Sequence, residues 1–297
     1  MSGRPQSARP AVAVEITAER VLAARASHDR RSLETHTARA LPAGAVVPSL
    51  QGQNVADAEP VRQALSAALE TVGTRVRDVT VVVPDAAARV MLMDFDTFPE
   101  RESEALSLLR FRLKKLLPFD AERATVTYQA FRNRGVRVVS AVAAASVVAE
   151  YESLLRDLGY NPGVVLPSIA ACLGLVAAVR PTLVVKADAE TTSVAIADHG
   201  ELRLVRTLEG PPPASAEQLA DELHPLLVYF QDTFAGRIER VLVGGHLTVD
   251  AMRPVLEKQT GAQVQELVSA TVLGGGLASP QLPAGLLAGV TGAVLNL

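Results

Sequence analysis

The stretch VVKADAETTSVAIADHGELRLVR, residues 184–206, decides the fold. Its short, β-branched apolar runs surround a polar turn, and this pattern predicts two short β-strands in a hairpin. Lys186 and Asp188 stand where the first strand enters the turn, and Thr191 and Thr192 follow the turn. We take this charged turn as the centre of the candidate functional site.

The composition indicates an α/β protein. The chain has 297 residues, of which 48% are hydrophobic and 4% aromatic, with no Trp. Its core must therefore be built from Ala, Val and Leu, which is typical of interleaved strands and helices. The net charge is −3, and because duplex-binding proteins usually carry a basic excess, we expect no nucleic-acid partner.

The sequence predicts a cytoplasmic location. Residues 1–10 are polar, predict a disordered tail and lack the apolar core of a signal peptide. There is no run of 18 uncharged apolar residues, so no membrane span is expected. Cys172 is the single cysteine and lies in an apolar stretch, which predicts a buried, inert thiol.

Before residue 160, the pattern predicts a hairpin, two strands, three helices and a second strand pair. The predicted strands are 11–16, 21–26, 78–83, 90–95, 124–131 and 136–143; the helices are 58–72, 99–115 and 147–159; residues 37–53 read as a loop. The middle helix carries an apolar stripe of Leu106, Leu109, Leu113 and Leu116, and Pro118 stops it.

After a turn at Asn161-Pro162, a second α/β unit is predicted. Its elements are a helix from Ser168 that ends before Pro181, the strand pair around the charged turn, a stiff Gly210–Pro213 linker, a helix at 215–234 kinked at Pro225, the strand RVLVGG, a helix at 248–260, the strand QVQEL and a final helix at 284–295.

Familiar catalytic motifs are missing from the sequence. It contains no P-loop and no G-x-G-x-x-G, and its five His residues are not spaced as metal ligands, so we expect no metal site. The basic run Arg110, Arg112, Lys114 and Lys115 has two interpretations, a solvated helix face or a docking patch for an acidic segment. The first is favoured, because the four residues do not share one face of a helical wheel.

The order and spacing of these elements resemble the PilM family of actin-like type IV pilus assembly proteins. The strongest match is PERESEALSLLRFRLKKLLPFDAERATVTYQAF, residues 99–131, which is similar to the family's inserted domain, with Pro118, Phe119 and Tyr128 in place. VVAEYESLLRDLGYNPGVVLPSIAACLGL resembles the family's helix–turn–strand–helix, and RVLVGG resembles its adenosine-side turn at Gly244 and Gly245.

The resemblance covers residues 11–297 and implies an α/β, actin-like (ribonuclease H-like) two-lobe fold. The expected divisions are a first lobe at 11–89, an inserted small α/β domain at 90–150, and a second lobe at 151–297. The final helix is expected to return to the first lobe. The second lobe is expected to lack most of its outer subdomain, because only TLEGPPPASAEQL separates Arg206 from the long helix. That absence predicts a cleft open on one side.

The chain departs from the family at the nucleotide cleft. Where the family's first hairpin carries Asp-x-Gly, this chain has Glu15 and Thr17, and a β-branched Thr would block the approach of a phosphate. In the second hairpin, Lys186 replaces Asp and Asp188 replaces Gly. Thr191, Thr192, Gly244 and Gly245 keep the family's pattern. The cleft is therefore predicted to be degenerate, and we further predict an ion pair between Lys186 and Glu15 in place of Mg²⁺ and phosphate.

These observations predict a non-catalytic scaffold that uses neither ATP nor a metal. By resemblance, it binds the cytoplasmic tail of an inner-membrane PilN-like protein, contacts other pilus assembly proteins and lies at the inner-membrane face. The sequence leaves homo-oligomers open. Two alternatives stand beside this prediction: a working or ATP-binding PilM-type ATPase, and the cytoplasmic domain of a GspL-like type II secretion protein.

The predicted partner site is a groove between the first lobe and the inserted domain. Its floor would carry apolar anchors and its rim basic groups. The residues assigned to it are Arg110, Arg112, Leu113, Lys114, Leu117 and Phe119.

Overall fold

The computed structural model describes residues 9–73, 76–133, 135–274 and 282–295, and its strands form three sheets. The first sheet has the order β3-β2-β1-β4-β8. Its strands are β1 (Val12–Ile16), β2 (Arg20–Ala26), β3 (Leu33–Ala40), β4 (Asp78–Val83) and β8 (Asn161–Pro167). β1, β2 and β3 form an antiparallel meander, and β4 and β8 run parallel to β1.

The helices α1 (Ala58–Val72) and α3 (Ala145–Asp157) cover the outer face of this sheet. Asp57 caps α1 by accepting a hydrogen bond from the Glu59 N–H, and Gly73 ends the helix with a φ of 64°. Between these caps, apolar residues recur at helical spacing and are buried: Val61, Leu65, Ala68, Leu69 and Val72. The helix has the bounds that the sequence predicts.

The second sheet has the order β11-β10-β9-β12-β13. Its strands are β9 (Thr182–Ala187), β10 (Thr191–Asp198), β11 (Glu201–Glu209), β12 (Arg240–Gly245) and β13 (Gln263–Glu266). The helices α5 (Ala216–Phe234) and α6 (Val249–Thr260) cover its outer face. No folded subdomain lies between β11 and α5, and Pro225 lies within α5.

Two short helices lie between the two sheets. They are α4 (Ser168–Cys172) and α7 (Ala288–Val294), and a 3-10 turn, Ala284–Leu287, leads into α7. Val290, Ala293 and Val294 pack on the inner face of the first sheet, whereas Ala288 packs with residues of the second. The final helix therefore contacts both the first lobe and the second.

The inserted unit is a three-stranded antiparallel sheet with the order β5-β7-β6. Its strands are β5 (Arg89–Phe95), β6 (Ala124–Asn133) and β7 (Gly135–Ala144), and α2 (Glu102–Leu113) packs on it. Leu109 and Leu113 are fully buried against this sheet, but Leu116 is exposed beyond the end of the helix. Only part of the predicted leucine stripe is therefore core.

Several predicted boundaries differ from the structure. Leu33–Ala40 forms β3, where residues 37–53 were expected to be a loop, because its backbone pairs with β2. The stretch at 184–206 crosses three strands rather than two. The helix α2 begins at Glu102, after Pro99, and ends before Lys114. The predicted helix from Ser168 ends at Cys172. The predicted tail lies largely outside the described residues, which begin at residue 9.

The division between the lobes also differs from the prediction that the second lobe begins at residue 151. Asn161 and Pro162 do not form a turn but begin β8, which pairs with β4 in the first sheet. α3 packs on that sheet as well. Within the described ranges, no helix combines the length and the apolarity needed to cross a membrane.

Candidate functional site

A buried cluster of charges lies between the two sheets, and strand alternation places its members. In β1, Val14 and Ile16 point to the outer core, so Glu15 points inward. In β9, Val185 and Ala187 likewise face outward, and Lys186 faces inward. The two side chains, 1% and 2% exposed, therefore meet from opposite lobes.

Lys186 contacts two carboxylates. Its Nζ lies 2.5 Å from both carboxylate oxygens of Asp188, two residues along the chain, and 3.6 Å from Oε1 of Glu15. Burial acts to lower the pKa of Lys186, but Asp188 and Glu15 outweigh it, so the pKa lies above its ordinary value. The predicted pair between Lys186 and Glu15 is confirmed, with Asp188 as the nearer partner.

Glu15 is held by neighbours from the inner helices. Ser168, the first residue of α4, donates a hydrogen bond of 2.6 Å from Oγ to Oε1 of Glu15. Oε2 has no hydrogen-bond partner among the described residues, and Gly289 of α7 packs against it. Burial raises the pKa of Glu15, and the charge of Lys186 opposes that rise.

Asp85 is a third buried carboxylate, which the sequence analysis missed. Its two oxygens accept hydrogen bonds of 2.9 and 3.1 Å from the N–H of Ile169 in α4. Burial raises the pKa of Asp85 to about 6, and Lys186 opposes this rise. One ammonium group thus faces three carboxylates, those of Glu15, Asp85 and Asp188. Such an excess of negative charge favours protonation of one of them.

The positions of Asp85 and Ser168 in the sequence do give a sign that they belong to the site. Asp85 follows the carboxyl end of β4, and Ser168 follows the carboxyl end of β8. The carboxyl ends of neighbouring parallel strands meet at one edge of a sheet, where functional groups collect. Cys172, in the same region, is fully buried, and burial raises the pKa of its thiol, as the prediction of an inert thiol requires.

Three backbone N–H donors of the turn after β1, those of Thr17, Glu19 and Arg20, are occupied. Oγ1 of Thr17 accepts hydrogen bonds from the N–H groups of Glu19, at 3.3 Å, and Arg20, at 3.1 Å. The Thr17 N–H bonds to the Arg20 carbonyl at 2.9 Å. A phosphate-binding turn needs free N–H donors. Here two of the N–H groups of the turn, those of Glu19 and Arg20, already bond to the hydroxyl of Thr17.

The turn of Gly244 and Gly245 is tied to the second hairpin. Gly245 has a φ of 71°, and a Cβ there would lie 2.8 Å from the carbonyl carbon of Ala187, so only Gly fits. The next N–H, of His246, bonds to the Ala187 carbonyl at 2.8 Å, and the His246 ring lies 3.3 Å from Glu19. This turn thus joins both hairpins.

Thr191 and Thr192 lie at the start of β10 and are both buried. The Thr191 carbonyl accepts the Asp188 N–H at 2.8 Å and closes the second hairpin turn. Thr192 pairs with Ala187 across the sheet, and its Oγ1 has no hydrogen-bond partner among the described residues. Thr191 also lines a pocket of about 340 Å³ together with Glu190 and Glu209.

The space left between the hairpins is too small for a nucleotide. A cavity of about 10 Å³ remains, lined by Glu15, Thr17, Glu19, Arg20, Leu22, Asp188, Ala189, His246 and Leu286. Small-molecule sites usually measure about 300–1,000 Å³. α7 and the 3-10 turn before it pack between the lobes, whereas the connection from β11 to α5 carries no folded subdomain, so the expectation of a cleft open on one side stays a prediction. The residues present do not fit Mg²⁺–ATP.

The residues assigned to a partner groove do not line one groove. Leu113 is fully buried in the core of the inserted unit, so it cannot form an accessible floor. Arg112 lines a pocket that faces the second lobe, and Lys114 is exposed. Arg110 and Leu117 are half-buried. The buried residues of α2 are Ala105, Leu109 and Leu113, which recur every four residues on one face of the helix, so the exposed Arg112 and Lys114 lie on other faces.

Phe119 does lie where the first lobe meets the inserted unit. It packs against the cores of both. A groove of about 530 Å³ opens beside it, which we call the first-lobe groove, lined by Gln51, Gly52, Phe119, Asp120, Arg123, Ala144, Ala145 and Ser146.

Solved structures share this fold over nearly the whole chain. The PilM–PilN type IV pilus biogenesis complex matches with a TM-score of 0.80 and 19% identity, covering 96% of this chain and 97% of that chain. The cytoplasmic domain of EpsL, an inner-membrane component of the type II secretion system of Vibrio cholerae, matches with a TM-score of 0.51 and 11% identity, covering 88% and 98%.

The ethanolamine utilization protein EutJ from Carboxydothermus hydrogenoformans also matches, with a TM-score of 0.51, 9% identity and coverage of 98% and 93%. No protein-family model and no curated protein sequence matches the chain. These similarities confirm the predicted actin-like, two-lobe α/β fold and the likeness to PilM at the level of the fold.

Proposed function

We propose that the chain is a non-catalytic actin-like scaffold of a type IV pilus assembly machine. In this proposal it works at the cytoplasmic face of the inner membrane and binds the cytoplasmic tail of a PilN-like protein. Contacts with other pilus assembly proteins, and homo-oligomers, belong to the same proposal. The similarity to the PilM–PilN complex, at a TM-score of 0.80 over 96% of the chain, supports the machine and the partner.

The single observation that carries the non-catalytic role is the position of Lys186. Its ammonium group lies among carboxylates between the lobes, where a catalytic actin-like protein would need a metal ion and phosphates. Phosphoryl transfer depends on metal ions that neutralise the developing charge. A fixed lysine neutralises the same carboxylates without admitting a substrate, and it joins the two lobes in one arrangement.

The first-lobe groove is the proposed seat of the partner tail. Phe119 supplies an apolar anchor between the two units, and Arg123 supplies a cation. Lys114 and Lys115, exposed just beyond α2 in the same connection, add basic character. A tail bound there would place apolar side chains against Phe119 and acidic or polar groups near Arg123.

The test is direct binding of a synthetic peptide. The peptide has the sequence of the cytoplasmic tail of the PilN-like membrane protein encoded with this chain, and fluorescence anisotropy measures its Kd. We expect Phe119→Ala and Arg123→Glu each to weaken binding by about tenfold. The effect of Arg123→Glu should shrink at high salt, because salt screens exposed charges.

Arg101→Glu is the matched control. The Arg101 side chain is 82% exposed and lies outside the first-lobe groove, so its reversal should leave the Kd unchanged. Tail binding that is insensitive to both groove variants would place the site elsewhere. Absence of tail binding by the wild-type chain would count against the proposed partner.

A GspL-like role is the second candidate. The match to the EpsL cytoplasmic domain favours it, although the TM-score of 0.51 is well below that for the PilM–PilN complex. The gene sequence following residue 297 decides between the two. A membrane span encoded directly after the domain would replace the pilus proposal with this one.

A further inference from the structure

A second cavity lies between the inserted unit and the second lobe, away from the first-lobe groove. It measures about 660 Å³, and we call it the second-lobe pocket. Its lining residues are Asp94, Phe95, Asp96, Thr97, Leu108, Arg112, Phe131, Gly135, Val136, Arg137, Glu201, Arg203 and Phe234. β7 reaches this pocket at Gly135 and the first-lobe groove at Ala144. At about 3.3 Å per residue, the two sites are roughly 25–30 Å apart.

Two strand edges form the walls of the pocket. β5 is an edge strand of the inserted sheet, β11 is an edge strand of the second sheet, and the two lie beside each other. An ion pair between Arg89 and Glu209 joins them at one end. At the other end, around Asp94 and Glu201, they separate and the pocket opens.

Most charges in the pocket are already paired. Arg137 makes a bidentate contact with Asp94, with distances of 2.7 and 3.0 Å, and Arg203 lies 2.6 Å from Glu201. Both guanidinium groups also stand over the ring of Phe234, 5.5 Å from its centroid. These pairs form a rigid, partly aromatic wall.

Two charges are left over. Arg112 stands over the ring of Phe95 at 5.2 Å, and no carboxylate pairs with it in the part of the chain that the structure describes. Asp96 is exposed and likewise has no ion-pair or hydrogen-bond partner among the described residues. Half-buried Phe131, Phe234 and Leu108 supply apolar surface beside them.

Exposed aromatic residues adjoin the pocket. Tyr229, 54% exposed, packs edge-on against Phe234 with ring centroids 6.5 Å apart. Phe111, next to Arg112 on α2, is 69% exposed. Protein interfaces are enriched in aromatic residues and Arg.

From this arrangement we infer that the second-lobe pocket is a docking site for a short, extended segment of a partner protein that carries an acidic side chain next to an aromatic one. The carboxylate pairs with Arg112. The aromatic ring of the segment packs against the side chains of Phe131, Phe234 and Leu108. Asp96 accepts a backbone N–H of the segment. Because the walls belong to different units, the bound segment fixes the inserted unit against the second lobe.

Selection from a displayed library of random seven-residue peptides tests this inference. The wild-type protein is the target of the selection. Peptides that also bind the Arg112→Glu variant are discarded, because they bind outside the pocket. We expect the selected peptides to carry Asp or Glu beside Phe, Tyr or Trp. For one synthesised peptide, Arg112→Glu should weaken binding by about tenfold, and replacing the peptide's acid by Lys should restore binding to that variant.

Matched variants make the result specific. Lys114→Glu reverses an exposed charge two residues from Arg112 outside the pocket, and Phe119→Ala alters the first-lobe groove; neither should change the affinity. Asp96→Ala removes an exposed carboxylate that contacts no described partner. It should therefore weaken binding of the peptide without lowering the melting temperature of the protein.

Three outcomes overturn the inference. One is a set of selected peptides without an acid–aromatic pair. Another is equal loss of affinity in Lys114→Glu and Arg112→Glu. The third is concentration-dependent dimerisation of the wild-type chain that Arg112→Glu abolishes, because the occupant would then be a second copy of this chain.

Discussion

Gly289 of α7 packs directly against the carboxylate of Glu15 in β1. A Cβ at position 289 would lie 2.6 Å from both Cδ and Oε1 of Glu15. The absence of a side chain at Gly289 is therefore what allows Glu15 to reach Lys186. The final helix therefore contributes to the charge cluster by leaving space, at Gly289, for the carboxylate of Glu15.

Replacing Gly289 with Ala should destabilise the protein. Ala is favoured over Gly in a helix by about 1 kcal/mol, but an added methyl group in a close-packed core costs about 1–3 kcal/mol. Here it would meet a fully buried carboxylate, so we expect the melting temperature to fall. Gly163→Ala in β8 is the control, because a Cβ there meets nothing within 4 Å. A Gly289→Ala variant as stable as wild type would show that Glu15 can move aside.

Removing Lys186 should cost about 3–5 kcal/mol in the free energy of unfolding, because it leaves buried carboxylates without their cation. The cost should be larger at pH 8 than at pH 5, since protonation relieves the unpaired charge at low pH. Urea denaturation of Lys186→Ala and Lys186→Met at both pH values measures it. Lys186→Met keeps most of the side-chain volume that Lys186→Ala removes. A pH dependence that both variants show therefore comes from the lost charge and not from a cavity. Equal losses at pH 5 and pH 8 would contradict this account.

Asp85 should make the wild-type protein more stable at mildly acidic pH than at neutral pH. Its pKa is about 6 in the folded state against an ordinary value of 3.8, so between these values the folded state holds the proton and the unfolded state does not. The contribution of Asp85 to the free energy of unfolding is thus fully present below pH 3.8 and is lost as the pH rises through 6. The loss amounts to about 2–3 kcal/mol.

Asp85→Asn should flatten this pH dependence, because Asn does not titrate. Glu15, Lys186, Asp188 and Cys172 face the same cluster, and Glu15, with its raised pKa, leaves a smaller slope of the same sign. Guanidinium denaturation between pH 4 and pH 7 measures both proteins. An Asp85→Asn profile parallel to that of wild type would rule out Asp85 as the titrating group.

ATP with Mg²⁺ should neither stabilise the protein nor be hydrolysed by it. The cavity between the hairpins is about 10 Å³, and Thr17 occupies backbone donors of the first turn. A ligand at 100 times its Kd stabilises a protein by about 2.7 kcal/mol. Thermal melts with millimolar Mg²⁺–ATP are therefore sensitive to weak binding. A clear rise in melting temperature, or phosphate release above a no-protein control, would favour the ATPase alternative.

The sequence predicted the cluster only in part, for a physical reason. Glu15 and Lys186 could be found because each stands at a hairpin turn and alternates with apolar residues along its strand. Asp85 and Ser168 lie far from both in the sequence, and they join the cluster because β4 and β8 are neighbours in the first sheet. That neighbourhood depends on strand order, which local patterns do not encode.

The partner groove shows a different limit. Leu113 belongs to the apolar stripe that predicts a buried helix face, and it is buried. The prediction that it lines an accessible groove required the same face to be open to a partner. Phe119 lies where the first lobe meets the inserted unit, whereas Arg112, which was assigned to the same groove, lies beside the second lobe at the opposite end of β7.

The position of α7 between the sheets also fixes an order of folding during synthesis. The first sheet can assemble once residue 167 has left the ribosome, and the second once residue 266 has. Until residues 284–294 emerge, α7 is missing from the space between the inner faces of the sheets, which it shares with α4. Until then, each lobe lacks the cover that α7 gives to apolar residues on its inner side. We therefore expect nascent chains stalled before residue 284 to expose apolar surface that the complete fold covers, and to aggregate more readily than the complete chain.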